Sequence, residues 1–279
     1  MAYIRETVQD HQNQSSLAQS LPIKLETAYD ILQPHRLSFD IAQIDRCLDL
    51  TDRGGGRSNL CISTSGKSSS SSLRHANNLL LTRLCVRALM SKRQGGFESP
   101  SVIFIDAGNC SDIYQCVNFA RQYGLDIQKI LDSIIVSRPF NMHQLAGLLI
   151  NELDLVAVAT QRFFGAKLVV ISDMLKTLVQ DSQIDSEEAL WLVREIARSI
   201  RKLSSHVLVV ASLHECPPQY QGLLFRLFDN QIHIATTKEP GWLQAKVSNN
   251  KNLHHHDGGK REFCSFIMTE KDLKIIPAR

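Results

Sequence analysis

The chain lacks any apolar run approaching the roughly 20 residues that crossing a bilayer takes. Its opening, Met1-Ala2-Tyr3-Ile4-Arg5-Glu6, holds no signal-peptide core. A membrane or secreted protein is therefore not expected, and a cytoplasmic location, or a nuclear one in a eukaryotic cell, is. Charge of one sign is also short: 31 Lys+Arg against 28 Asp+Glu leave a net of +3. That balance announces no polyanionic partner, so any nucleic-acid site must be a local patch. Paired cysteine motifs are missing. Cys47, Cys61, Cys85, Cys110, Cys116, Cys216 and Cys264 are odd in number and never at CxxC spacing, which disfavours a zinc framework and points to reduced thiols. Aromatics are scarce at 6%, yet 43% hydrophobic and 21% charged residues are the proportions of an ordinary folded chain.

Residues 1–36 are polar and rich in Gln and Ser, and Pro34 favours an extended exit, so they are expected to form an arm or linker before a core domain over 37–279. Leu37, Ile41, Ile44 and Leu48 recur at a helical period that ends in Asp52-Arg53-Gly54-Gly55-Gly56. Beyond it, short β-branched runs predict strands at 59–63, 101–106, 133–137, 167–172, 206–212, 231–236, 243–247 and 263–269. Helical periods predict helices at 73–92, 111–123, 142–161 and 186–204, the last capped by Ser186 with Glu187 and Glu188 near its positive end. Val102-Ile103-Phe104-Ile105 and Leu168-Val169-Val170-Ile171 are apolar on both faces, as strands between two helical layers must be. The fold class that follows is α/β: three layers, a mostly parallel central sheet flanked by helices, with C-terminal antiparallel strands from Gln231 onward. Such sheets bind ligands at the carboxyl ends of their strands.

After the first core strand comes Cys61-Ile62-Ser63-Thr64-Ser65-Gly66-Lys67-Ser68 and a serine run, then a long helix. A phosphate loop, GxxxxGK[ST], needs backbone amides that curl around phosphate, a Lys that reaches the β and γ groups, and a hydroxyl for Mg²⁺. Gly66, Lys67 and Ser68 supply its second half, and Cys61 stands where the first Gly belongs. The candidate nucleotide-binding residues are Ser63, Thr64, Ser65, Gly66, Lys67, Ser68 and Ser69. The competing reading is a serine-rich surface loop with an incidental lysine.

A second segment runs Ile103-Phe104-Ile105-Asp106-Ala107-Gly108-Asn109, then a helix, Gly124-Leu125-Asp126, a strand, and Arg138-Pro139-Phe140-Asn141-Met142-His143-Gln144. This order resembles the ATPase core of the RecA-like recombinases, in particular the RadA branch. There a strand ending in Ile-Asp-Thr-Glu leads to Gly-Leu-Asp, a strand, and Arg-Ala-Phe/Tyr-Asn with a following His-Gln. The resemblance extends more weakly from Leu37 to Thr269-Glu270 and finds no counterpart of the family's N-terminal helical domain in the arm. It implies a RecA-like fold and ATP with Mg²⁺ as cofactors.

Three positions depart from that pattern. The family's water-polarising acid is replaced by Gly108, and losing a general base costs about 10² to 10⁴ in rate. The Mg²⁺ carboxylate that should end the strand before position 173 is replaced by Ser172, with Asp173 one residue later. Asp173 is thus a displaced metal partner beside Ser68, or a helix cap. The family's Thr-Asn-Gln sensor is replaced by Ser212-Leu213-His214-Glu215, where His214 is a replacement sensor or a solvated loop histidine.

Lys246, Lys251, Lys260 and Arg261 surround Asn249-Asn250 and Gly258-Gly259, a basic hairpin suited to DNA phosphates or simply solvated. His254-His255-His256 alternate in direction and make no compact metal site. Arg83 and Arg87 in the first long helix, and Arg194, Arg198, Arg201 and Lys202 in the last, read as solvated faces, with a subunit contact or DNA track as the alternative. No clear Phe-x-x-Ala polymerisation motif stands in the arm, which favours a small homo- or hetero-oligomer over long filaments.

The resemblance thus implies a recombinase paralogue assisting homologous recombination and DNA repair, binding single-stranded DNA and a recombinase partner, with ATP bound weakly or turned over poorly. Two rivals remain: a working DNA-dependent ATPase with a displaced carboxylate, and a pseudo-ATPase scaffold that binds neither ATP nor DNA.

Overall fold

The computed structural model describes residues 36–48, 50–51, 59–65, 71–153, 165–181, 183–214, 216–249 and 263–274. Six parallel strands follow the expected alternation: β1 (Leu60–Ser65), β2 (Val102–Asp106), β3 (Ile134–Ser137), β4 (Leu168–Ser172), β5 (Leu208–Leu213) and β6 (Asn230–Thr236). Two antiparallel strands, β7 (Trp242–Asn249) and β8 (Phe263–Thr269), extend the sheet at one side, giving the order β3-β2-β4-β5-β1-β6-β7-β8. The central strands β2, β4 and β5 are buried at every residue, which is why their sequences are apolar on both faces until the polar Asp106, Ser172 and Ser212 near their carboxyl ends.

One core lies on each face. On the first face packs α2 (Ser71–Leu89) with α3 (Ile113–Gln122), and on the second pack α5 (Met142–Gly147, continued as a π turn over Leu148–Glu152) and α7 (Ser186–Leu203). Helix α7 buries Ala189, Leu192, Val193, Ile196, Ala197, Ile200 and Leu203 along one stripe. Each large aliphatic side chain there contributes roughly 1.5–3 kcal/mol. Its cap is Asp185, whose carboxylate accepts from the Glu187 and Glu188 amides, and not the expected Ser186. Asp is preferred because an ionised oxygen satisfies two free amides at the positive helix end.

Several short helices gave no periodic signal in the sequence. They are α4 (Ile127–Ser133), α6 (Lys176–Gln180), α8 (Pro218–Phe225) and α9 (Glu270–Lys274). In the opposite sense, the helical period from Leu37 to Leu48 yields only the single turn α1 (Ala42–Asp45). Asp40 adopts φ 58°, and the Asp45 carboxylate takes the amides of Phe39 and Ile41 and the hydroxyl of Ser38, so the chain is bent around one side chain instead of wound. The apolar residues of that period, Leu37, Ile41, Ile44 and Leu48, are still all buried.

The arginines of α2 correct the expectation of a solvated face. Arg83 and Arg87 are 0% and 1% exposed. Arg83 donates to the carbonyls of Asp40, Asp272 and Leu273, and Arg87 to those of Ser38, Gln94 and Gly95. They lie over the rings of Phe119 and Tyr123 respectively. A guanidinium suits this task because its fixed fork of donors meets several carbonyls at once. Gly95, at φ 76°, must stay small, since a Cβ there would stand 2.6 Å from Arg87 Nη2. The two arginines tie residues 36–51 and α9 to the sheet. Arg194, Arg198, Arg201 and Lys202 on α7 are exposed, as expected.

Candidate nucleotide site at the strand ends

The carboxyl ends of β1, β2, β4 and β5 stand side by side and are bonded to one another through side chains. Strand β1 stays in its ladder as far as Ser65, paired with Ala235 of β6. Cys61, at the position of the first loop glycine, is therefore inside the strand and fully buried, and burial pushes its thiol well up, so it remains a neutral packing group. Amides of Ser63, Thr64 and Ser65 point along the sheet toward neighbouring strands rather than around an anion.

Their hydroxyls are committed as well. Thr64 Oγ1 lies 2.6 Å from His214 Nδ1 and 3.2 Å from the His214 carbonyl oxygen. A hydroxyl has one proton, so if Thr64 donates it to the carbonyl, His214 Nδ1 must carry the ring proton. Ser63 Oγ and Ser65 Oγ meet the two ring nitrogens of His233 at 3.0 and 2.7 Å. Burial, with the neighbouring Lys246 charge, pushes His233 below its ordinary value, so the ring is neutral and one serine donates while the other accepts. His233 sits opposite Ser63 on one side and Lys246 on the other, which puts Lys246 in a row with β1. A polar residue within Gln231-Ile232-His233-Ile234, facing a serine-rich strand, was the signal that sequence reading passed over.

His214 is buried, not a solvated loop residue. Its amide donates to Asp173 Oδ1 at 3.1 Å, so it bridges the ends of β1, β4 and β5. Asp173 itself adopts φ 42°, and its amide donates to Ser212 Oγ at 2.8 Å. Burial raises the Asp173 carboxyl above its ordinary value, partly offset by the His214 amide and by the charges of His214, Lys176 and Arg74.

Asp106 closes β2 and is a knot of the turn. Oδ1 accepts from the Cys110 amide at 2.8 Å and Ser172 Oγ at 2.9 Å. Oδ2 accepts from the Ser111 amide at 3.1 Å, Ser111 Oγ at 2.6 Å and Arg138 Nε at 3.1 Å. Burial alone would raise this carboxyl, but the hydrogen bonds from Ser111, Cys110 and Ser172 outweigh it and hold the group below its ordinary value. Gly108, two residues on, donates its amide to Ser172 Oγ and accepts at its carbonyl from Lys176 Nζ.

Beside these ends, a cavity of about 450 Å³ opens at the start of α2, lined by Ser71, Ser72, Arg74, His75, Asn78 and Cys110, with Asp112 and Glu270 at its acidic side. The positive end of a long helix, two hydroxyls and Arg74 are a donor set that fits a phosphate group. A second cavity, of about 570 Å³, lies on the opposite face under Ser65, His214, His233 and Cys216. Gly66, Lys67, Ser68 and Ser69 lie outside the described residues, as do Lys251, Lys260, Arg261 and the three histidines 254–256.

Parallel strands whose ends converge on a helix start, with a cationic and hydroxyl-bearing rim, are the place where doubly wound α/β sheets carry their ligand sites. The Rad51 family model matches residues 48–204, more than half of the chain. The chain belongs to that family, the RecA-like recombinases of recombination and repair, and its fold is the RecA-like one. A comparison with curated proteins returned no match. The matched stretch runs from before β1 to the end of α7 and so takes in Asp106, Gly108 and Asp173 but not His214 or His233. Among the described residues, no helix is long and apolar enough to cross a membrane.

Proposed function

We propose that this protein is a divergent Rad51-family paralogue of the RadA type that assists homologous recombination by binding single-stranded DNA and a recombinase partner, with ATP held weakly and turned over slowly. Members of the family bind single-stranded DNA, oligomerise and use ATP with Mg²⁺, which supports the general reading. The observation that carries the finer one is β1 running in its ladder to Ser65, with its hydroxyls taken by His214 and His233. A phosphate cradle then retains only its second half. Gly66 would shape that turn, Lys67 would reach the β and γ phosphates, and Ser68 would face Mg²⁺. Bound ATP would supply a phosphoanhydride whose γ-phosphate charge Lys67 and the cationic rim would neutralise.

His214 supports a coupling role, because a shift at Thr64 must move the residue that begins the β5 loop. On the DNA side, Lys246, with Lys251, Lys260 and Arg261, is our proposed phosphate contact. Exposed Lys246 stands opposite the histidine that holds Ser63 and Ser65 of β1, so DNA and nucleotide would bear on the same row of residues. Fluorescence anisotropy with a labelled single-stranded oligonucleotide tests this. Affinity should fall steeply with salt, with a log–log slope reduced by about 0.7 for each of these cations replaced by Gln. A slope unchanged in the quadruple variant would remove the assignment.

A further inference from the structure

The turns after β2 and β4 compete for one place. A Cβ added at Gly108 would stand 2.7 Å from Asp173 Cβ, 3.3 Å from Cys110 Sγ and 3.4 Å from Ser172 Oγ. Real Cβ atoms do not approach so closely, so only one of positions 108 and 173 can bear a side chain here. Asp173 takes the place by adopting φ 42°, a left-handed backbone that residues other than glycine rarely use and that persists only when neighbours hold it. The neighbours are present: Ser212 Oγ accepts the Asp173 amide, the Ser212 carbonyl accepts the Met174 amide at 2.9 Å, and the His214 amide fixes Oδ1. Oδ2 has no hydrogen-bond partner among the described residues. Lys176, anchored on the Gly108 carbonyl, and Arg74 at the start of α2 bear on the same carboxylate.

A simple strand slip would have turned the residue after Ser172 to the other face. The left-handed turn instead sends its side chain out where one from position 108 would leave. We infer that Asp173 is the relocated acid of this site: it faces the attacking water in place of a residue-108 carboxylate, and Gly108 is small because Asp173 occupies its space. This rests on the reading that Gly66–Ser68 holds a nucleoside triphosphate. In the step, the water oxygen bonds to Pγ, the bond from Pγ to the β–γ bridging oxygen breaks with its electron pair going to the diphosphate, and the water proton passes to Asp173 and on to solvent. That role differs from the Mg²⁺ partner expected at the strand end, since the carboxylate is rooted at the β2 turn's position and not at the last residue of β4.

The test has an arm without nucleotide and an arm with it. In the free protein, Gly108→Ala should lower the melting temperature, and adding Asp173→Gly should recover most of the loss, because the clash is removed along with the strained φ. Additive effects of the two changes would overturn the shared-space premise. With Mg²⁺-ATP, Asp173→Asn should keep the ligand-induced rise in melting temperature while phosphate release under single turnover falls at least about 10²-fold. A retained thermal shift with undiminished release, or with no release even in the wild type, would overturn this inference alone. No thermal shift in the wild type would overturn the nucleotide reading and this inference with it.

Discussion

Replacing Asp106 by Asn is a nearly isosteric change whose cost follows from five hydrogen bonds. All five partners of the carboxylate donate to it. An amide must present N–H₂ either to the two partners of Oδ1 or to the three of Oδ2. Facing Oδ2's partners, it would meet the Ser111 amide and Arg138 Nε, neither of which can reverse. Facing Oδ1's, it meets the Cys110 amide, and only the Ser172 hydroxyl can turn. The cheaper choice still leaves one buried amide unpaired, at about 1–3 kcal/mol, and weakens the remaining charge-assisted bonds by roughly half. Arg138 is 53% exposed, so the ion pair itself adds little, on the order of 1 kcal/mol at most. The sum is about 3 kcal/mol, or about 6–12 °C in melting temperature for a domain of this size. Calorimetry at pH 7 measures it, with Arg138→Gln as the control expected to cost about 1 kcal/mol or less. Because the folded-state carboxyl lies below its ordinary 3.8, the stabilisation is present above that pH and is lost as pH falls through the folded value. The wild type and Asp106→Asn should therefore converge in strong acid. A variant that melts within about 2 °C of wild type at pH 7 would show that Asp106 is not the knot of the β2 turn.

Two further outcomes follow from a half-buried histidine and a buried arginine. His233 titrates below its ordinary 6.5 in the folded protein, so the unfolded chain binds the proton more readily. Its contribution to stability is present above pH 6.5 and is lost as pH falls below it, and the melting temperature of wild type should drop more between pH 7.5 and 5.5 than that of His233→Gln. Equal drops would contradict the neutral ring between Ser63 and Ser65. Arg87→Met strands the carbonyls of Ser38 and Gln94 and leaves that of Gly95 with the Ser38 amide alone, and should cost about 3 kcal/mol in denaturant melts, whereas Arg198→Ala on the exposed face of α7 should stay within about 0.5 kcal/mol. Comparable effects of the two would refute the interior role of Arg87.

The sheet was readable because its strands are short, β-branched and apolar on both faces, while α3 and α7 carry a periodic polar face. What failed was local chemistry overridden by contacts distant in sequence. Helix α2 is buried nearly all round, polar residues included, so periodicity could not tell that Arg83 points inward onto carbonyls of Asp40 and Leu273 and Arg87 onto those of Ser38 and Gln94. The helical period at 37–48 was real as a burial pattern, but Asp45 bends the chain into something other than a helix. At the site, the loss at Gly108 and the shift from Ser172 to Asp173 were visible as separate departures. That they are one change needs the 2.7 Å approach of two turns 65 residues apart, which no spacing in the chain displays. The roles of His214 and His233 are likewise tertiary, set by the register of β1 between β5 and β6.

The most direct measurement is thermal unfolding with and without Mg²⁺-ATP, wild type against Lys67→Ala. A weak but real site, filled at about ten times its Kd, adds roughly 1.4 kcal/mol and raises the melting temperature by about 3–5 °C. The account predicts that rise in the wild type and its loss in Lys67→Ala. A rise that survives in Lys67→Ala, or none in either protein, would contradict it.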